Sequence, residues 1–246
     1  MKYARIFLKI YEIFLSLCVP KNVQTMKIGI IVALDSEYER LSELIGKSGR
    51  IGRNTVILSK SGIGKVNSAV GTVEMIRNHK PDCIISTGVA GGLGKGVEVM
   101  DVIAGTRMVY HDTWCGSGNA YGQVQGLPLY YESHPALVAQ VLALRDTPGA
   151  PWIHDGLICS GDRFISDRAE ERSILKHFPD ALAVDMESCS IAQVCYLNEV
   201  PFISLRVISD SLKGDRLAVY DDFWATVRET SFSVVRQFLE SLPAVL

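Results

Sequence analysis

The chain has 246 residues, 48% of them hydrophobic and 21% charged, which is material for one large α/β domain with an ample core. A net charge of −2 lacks the basic footprint that phosphate-backbone binding requires, so nucleic acid is set aside as a partner. Cys18, Cys83, Cys115, Cys159, Cys189 and Cys195 show no paired spacing, and the histidines form no ligand pattern, so a reduced, cytoplasmic protein with no metal and no cofactor is expected.

Residues 1–25 come first in the chain. Lys2, Arg5 and Lys9 precede an apolar run, as in a signal peptide, but Glu12 interrupts the run and no A-x-A site follows. The stretch is also too short and too charged to span a membrane. It is read as an N-terminal extension, and residues 26–246 as a single domain.

From Met26, "MKIGIIVAL" reads as a strand and "DSEYERLSELIG" as a helix, with Leu41, Leu44 and Ile45 at helical spacing. A second strand near residues 55–59 leads through a glycine-bearing turn into a helix from about Val66 to His79. "PDCIISTGVAGGLGKGVEVMDVIAG" reads as a strand running into glycines and another strand after them. "GLICSGD" is a further strand, followed by a helix opened by Asp167 with Glu170 three residues on. "ALAVDMESCSIAQVCYLNEV" is a strand into a helix, "VPFISLRVISD" is a strand, and residues 220–242 close the chain as an amphipathic helix.

Mostly apolar strands alternating with helices predict an α/β three-layer sandwich, a central, mostly parallel, twisted mixed sheet flanked by helices. Ligands of such sheets bind beyond the carboxyl ends of the strands. The unusual residues stand there: Glu37, Ile63, the glycines after Thr87, Phe164, Met186, Glu187 and Asp210.

Each of these has a plainer reading. "TGVAGGLGKG" is no Walker loop, because Val89 and Gly96 stand where that motif needs glycine and Ser or Thr, and it fails GxGxxG too. The glycines alone are as consistent with a tight turn between strands as with close backbone approach to a ligand. Glu37 and Glu187 lie where helix dipoles favour acids, and Met186 is a ready core filler. Asp210 is harder to dismiss, because a carboxylate ending a buried strand must be paired, protonated or solvated in a cleft. Arg206 shares its face roughly 13 Å away, at about 3.3 Å per residue, so each charge needs its own partner.

Taken together, "KIGIIVALDSE", "KSGIGKVNSA", "STGVAGGL", "YHD", "CSGDRFI", "AVDMES", "VPFISLRVISD" and "YDDF" resemble, in order, the methylthioadenosine/S-adenosylhomocysteine nucleosidases of the nucleoside phosphorylase superfamily. The resemblance implies hydrolysis of an adenine N-glycosidic bond. It makes Asp210 the acid that protonates the departing purine, with a pKa raised by a desolvated strand end. Glu37 becomes the base that takes a proton from the attacking water, and Arg206 holds that water and the carboxylates. Glu187 accepts from the ribose hydroxyls with Met186 against the sugar, and Phe164 stacks on the purine while the Ile165 backbone reads its edge. Ile63, Leu34 and Tyr220 line the thioalkyl slot, and Gly91 and Val184 complete the substrate-binding set.

The resemblance also implies a homodimer, with the 111–128 loop near the neighbour's site, and a small-molecule nucleoside as partner, with neither nucleic acid nor membrane. Two positions depart from the family pattern: Val89 stands where many members have serine, and Asp185 where many have glutamate. They leave room for another substrate, such as futalosine. A purine nucleoside phosphorylase and a non-catalytic nucleoside-binding module are the remaining readings.

Overall fold

The computed structural model describes residues 25–148, 151–210 and 232–246. The sequence expectations for residues 1–24, for Tyr220 and for the first part of the closing helix lie outside the described residues.

The first unit repeats a strand-helix pattern: β1 (Lys27–Val32), α1 (Asp35–Ile45), the short β2 (Arg50–Ile51), β3 (Asn54–Lys60) and α2 (Lys65–His79). Next come β4 (Cys83–Gly92), β5 (Val102–Tyr110), β6 (Tyr131–Glu132), α3 (Pro135–Leu142) and β7 (Ile153–Ser160). The chain continues through α4 (Arg168–His177), β8 (Ala181–Asp185), α5 (Ser188–Leu197), β9 (Phe202–Asp210) and α6 (Ser233–Ser241). Asp167 caps α4 as its sequence position suggests, accepting from the amides of Ala169 (2.7 Å) and Glu170 (2.9 Å). Among the described residues no helix is long and apolar enough to cross a membrane.

The nine strands form one mixed sheet. β4 pairs in parallel with β1 and β9, and its last two residues, Gly91 and Gly92, pair antiparallel with β8. β9 in turn pairs antiparallel with β5, which runs parallel to β7, which runs parallel to β8. The path β4–β9–β5–β7–β8 therefore returns to β4 and closes on itself, while β1, β3 and β2 extend from it as an open wing.

This pairing divides the glycine-rich segment between the two readings the sequence left open. Of the glycines after Thr87, Gly88, Gly91 and Gly92 belong to β4, whose pairing slips between Ala90 and Gly91, while Gly94 and Gly96 lie in the turn that leads to β5. The irregularity lets the strand end leave β9 and join β8.

Alternation along β9 sorts the core. Ile203, Leu205 and Val207 face one layer with Leu41 and Ile45 of α1, Leu137 and Val141 of α3, and Phe238 and Leu239 of α6. Phe202 and Ile208 face another layer with Met75 of α2 and Ile191 and Cys195 of α5. A third cluster packs Ile174 of α4 and the adjacent Phe178 on Leu157 and Cys159 of β7. Between Phe202 and Ile208, the positions that alternation assigns to the α5 side are Ser204 and Arg206, both buried.

Candidate active site

A cleft of about 630 Å³ opens where six segments leave the carboxyl ends of their strands. Ala33, Leu34 and Glu37 come from the start of α1, Ile63 from the turn after β3, and Val89, Ala90 and Gly91 from β4. Arg163, Phe164 and Ile165 follow β7, Val184 to Glu187 end β8 and enter α5, and Ser209 and Asp210 end β9. Of the residues picked out from sequence, Glu37, Asp210, Gly91, Phe164, Ile165, Met186, Glu187, Ile63, Val184 and Leu34 are brought together here. Arg206 lies behind this lining, and Tyr220 is outside the described residues.

Glu37 is 1% exposed and is fixed by three backbone amides. Its Oε2 accepts from Ala33 (2.9 Å) and Leu34 (3.0 Å), and its Oε1 accepts from Val89 (3.0 Å). The bond to Leu34 is the helix-start role that its position in the first turn of α1 suggests. The bond to Val89 reaches across to β4 and orients the carboxylate into the cleft. Burial pushes the pKa of Glu37 up, against the downward pull of Arg206 and the three amides. The result is a carboxylate held still yet more basic than a free one.

Gly88 makes this arrangement possible. A Cβ on it would lie 2.8 Å from Glu37 Cδ and 2.8 Å from Arg206 Nη1, and its φ of 146° is one that side-chain-bearing residues avoid. Only glycine leaves room for the carboxylate and the guanidinium to face the same point of β4.

Arg206 is 1% exposed and its charge is met chiefly by Asp185, with Nε 2.8 Å from Oδ2. Its Nη2 donates to Ser86 Oγ at 2.9 Å and stands 3.9 Å from Glu187 Oε2, close enough for attraction but too far for a hydrogen bond. Burial alone would lower its pKa, but Asp185, Glu187 and Glu37 outweigh that and raise it. The charge in the middle of β9 therefore neutralises carboxylates from two other segments.

Glu187 Oε1 accepts from the Gly64 amide at 2.9 Å, at the start of α2. Burial pushes its pKa up to about 7, with Arg206 pulling down and Asp185 pushing up. Gly64 adopts φ 92°, and a Cβ there would lie 2.8 Å from Asp162 Oδ1, so this donor too depends on glycine. Asp210 is 2% exposed, and its Oδ1 accepts from the Ser209 hydroxyl at 2.8 Å.

The apolar parts of the cleft differ in exposure. Phe164 is 45% and Ile63 49% exposed, so both offer surface at the mouth, whereas Ile165 and Val184 are buried. Sequence reasoning missed Ser209, Ala33, Ala90 and Arg163 as cleft residues. Ser209 had a signal, since a hydroxyl directly before a strand-ending aspartate can bond it; the two alanines offered none.

A closed α/β sheet with buried carboxylates beyond its strand ends defines a protein of the phosphorylase superfamily, whose family model matches residues 27–240, and the chain belongs to it. Within it, the chain belongs to the 5'-methylthioadenosine/S-adenosylhomocysteine nucleosidase family. It is 40% identical over 223 residues to such a nucleosidase from an Exiguobacterium species, covering 85% of this chain and 96% of that one. The nucleosidase of Neisseria meningitidis, solved with methylthio-immucillin-A, superposes with a TM-score of 0.82 at 36% identity, covering 88% of this chain and 100% of that one. The S-adenosylhomocysteine nucleosidase of Streptococcus pyogenes, solved with 5-methylthiotubericidin, gives 0.82 at 34% identity, covering 89% and 98%.

Proposed function

We propose that the chain hydrolyses the N-glycosidic bond of 5'-methylthioadenosine and S-adenosylhomocysteine, releasing adenine and the thio-substituted ribose. The observation that carries this reading is Glu37: a buried carboxylate of raised basicity, held by three amides at the edge of a largely apolar cleft that also holds Asp210 and Glu187.

Cleavage builds positive charge on the ribose and negative charge on the purine. Asp210 donates a proton to the departing base near N7, and Glu37 takes one from the water that attacks the sugar. Glu187 accepts from the ribose hydroxyls, while Met186 lies against the sugar without competing as a nucleophile. Phe164 covers the purine face and the Ile165 backbone reads its edge, with Leu34 and Ile63 against the thioalkyl group. Arg206 acts from behind the lining by holding the carboxylates in place.

A phosphorylase would need to seat an anion beside Glu37. Arg206 is already committed to Asp185, and Arg163 at the cleft pairs with Glu170, so the geometry favours water as the nucleophile.

The same reading places the protein in the cytoplasm as a homodimer, with the 111–128 loop near the neighbour's site. Support comes from Ile63, Val66 and Val70 of the α2 region, exposed in one neighbourhood of the chain, and from Trp114, which is 66% exposed in that loop.

Purified protein incubated with each nucleoside in phosphate-free buffer is expected to release adenine. Failure to release it from either one removes the proposal, and activity strictly dependent on phosphate selects a phosphorylase instead.

A further inference from the structure

We propose that Ser188 is a positioning residue whose hydroxyl joins Asp185 to Arg206 and thereby sets where the guanidinium stands relative to Glu37 and Glu187. The proposal rests on the reading of Glu37 as the base.

Ser188 opens α5 and has no exposed surface. A hydroxyl has one donor and two acceptor sites, and this one finds three partners. It donates to Asp185 Oδ2, lies 2.6 Å from Ser204 Oγ, and accepts from Arg206 Nε at 3.0 Å. The single Nε proton thus lies between Ser188 Oγ and Asp185 Oδ2. Asp185 is itself pinned by Ser160 Oγ at 2.5 Å and by the amides of Glu187 and Ser188 at 3.3 and 3.2 Å. The Nε end of the guanidinium is therefore anchored to β8 and α5, and the Nη2 end to Ser86 of β4.

A serine in the first turn of a helix often does no more than satisfy itself locally. Ser190 shows what that looks like: its hydroxyl donates back to Glu187 O at 2.9 Å and meets Ser68 Oγ of the neighbouring helix. Ser188 likewise donates three residues back, but to the Asp185 carboxylate, and its oxygen also accepts from Arg206, the cation that among the described residues acts on both Glu37 and Glu187.

The charges around this junction come from every packed element. Arg206 faces Asp185 of β8, Glu187 at the start of α5 and Glu37 of α1. Asp185 is felt in turn by His111 after β5, by Cys159 of β7 and by Cys189 of α5. Arg206 is the largest influence opposing burial at both Glu37 and Glu187. Without the Ser188 hydroxyl, Nε turns wholly to Asp185 and the guanidinium is no longer held toward Glu37. The base then needs a higher pH to ionise.

The test is the pH profile of adenine release by Ser188→Ala. Its kcat is expected to fall on the order of tenfold with KM nearly constant, and the acid limb should move to higher pH. Ser204→Ala, which removes a partner of Ser188 but no hydrogen bond to Asp185 or Arg206, should keep its limb where the wild type has it. An unmoved limb in Ser188→Ala overturns the proposal, as does an equal movement in Ser204→Ala, which would reveal general loosening. Glu37→Gln separates this from the underlying reading. If Glu37→Gln turns over like the wild type, the base assignment itself fails; if it is inactive while the Ser188→Ala limb is unmoved, only the role of Ser188 falls.

Discussion

At the scale of single residues, the site divides its carboxylates by what each one touches. Asp210 meets a neighbouring hydroxyl at the end of β9, Glu37 meets three amides, Glu187 meets one amide and stands near a cation, and Asp185 meets the cation itself. Substitution should separate their roles. Asp210→Asn keeps the shape but cannot supply the proton, so adenine release should fall by about a hundredfold or more while the circular dichroism spectrum stays unchanged. An active Asp210→Asn enzyme would remove the acid from the mechanism. Glu37→Gln should lose a similar amount, and in addition its amide group cannot accept at both ends, so one of the three backbone amides loses its partner. Most of these residues were legible in the sequence because they are polar and follow strands. Arg206 was legible as an oddity, but its partner was not, since Asp185 is remote in the chain and joins it only when β8 and β9 flank β4. Ser188 left no trace in the pattern, because a serine opening a helix is ordinary.

The elements explain why the carboxylates can approach one another. β4 brings Gly88 into register with Arg206, and the space a side chain would take is filled by Glu37 and the guanidinium. Gly88→Ala should therefore destabilise the protein by about 1–3 kcal/mol from overpacking, with added cost from its positive φ, and should abolish activity even where the fold survives. Urea unfolding and the product assay check the two halves; a Gly88→Ala protein of wild-type stability would show that the crowding is relieved elsewhere. Element order was largely visible in the sequence, because apolar runs and the Asp167 cap mark strands and helix starts. The glycines of β4 left two readings open, since glycine is as ready for a turn as for a strand that a ligand approaches until its strand neighbours are known. Helix α3 was passed over: "PALVAQVL" is short and apolar on most sides, so periodicity gives it little signal. The two-residue strands β2 and β6 are set by pairing alone.

For the molecule as a whole, burying several acids around one cation links folding to pH. Burial raises Glu187 to about 7 from its ordinary 4.5, and raises Glu37 as well. A group that holds its proton more tightly when folded adds stability that is complete below the unfolded value and disappears as pH rises through the folded one. His111 acts oppositely, since burial lowers it from 6.5, so its contribution is complete above that value and is lost as pH falls through the folded one. Comparing Glu187→Gln with the wild type cancels the His111 part. The Tm of the variant minus that of the wild type should rise between about pH 5 and about pH 8, and a flat difference would mean that Glu187 binds its proton equally in both states. The closed path of strands has a separate consequence. Because β9 is paired on both sides, with β4 and β5, it lies inside the described sheet, whose outer edges are β6 and, on the other wing, β3 beyond the two residues that β2 covers. A passing chain can extend the outer side of β3 but not β9, so the strand that carries both Arg206 and Asp210 is shielded from the edge-to-edge association through which β-rich proteins aggregate.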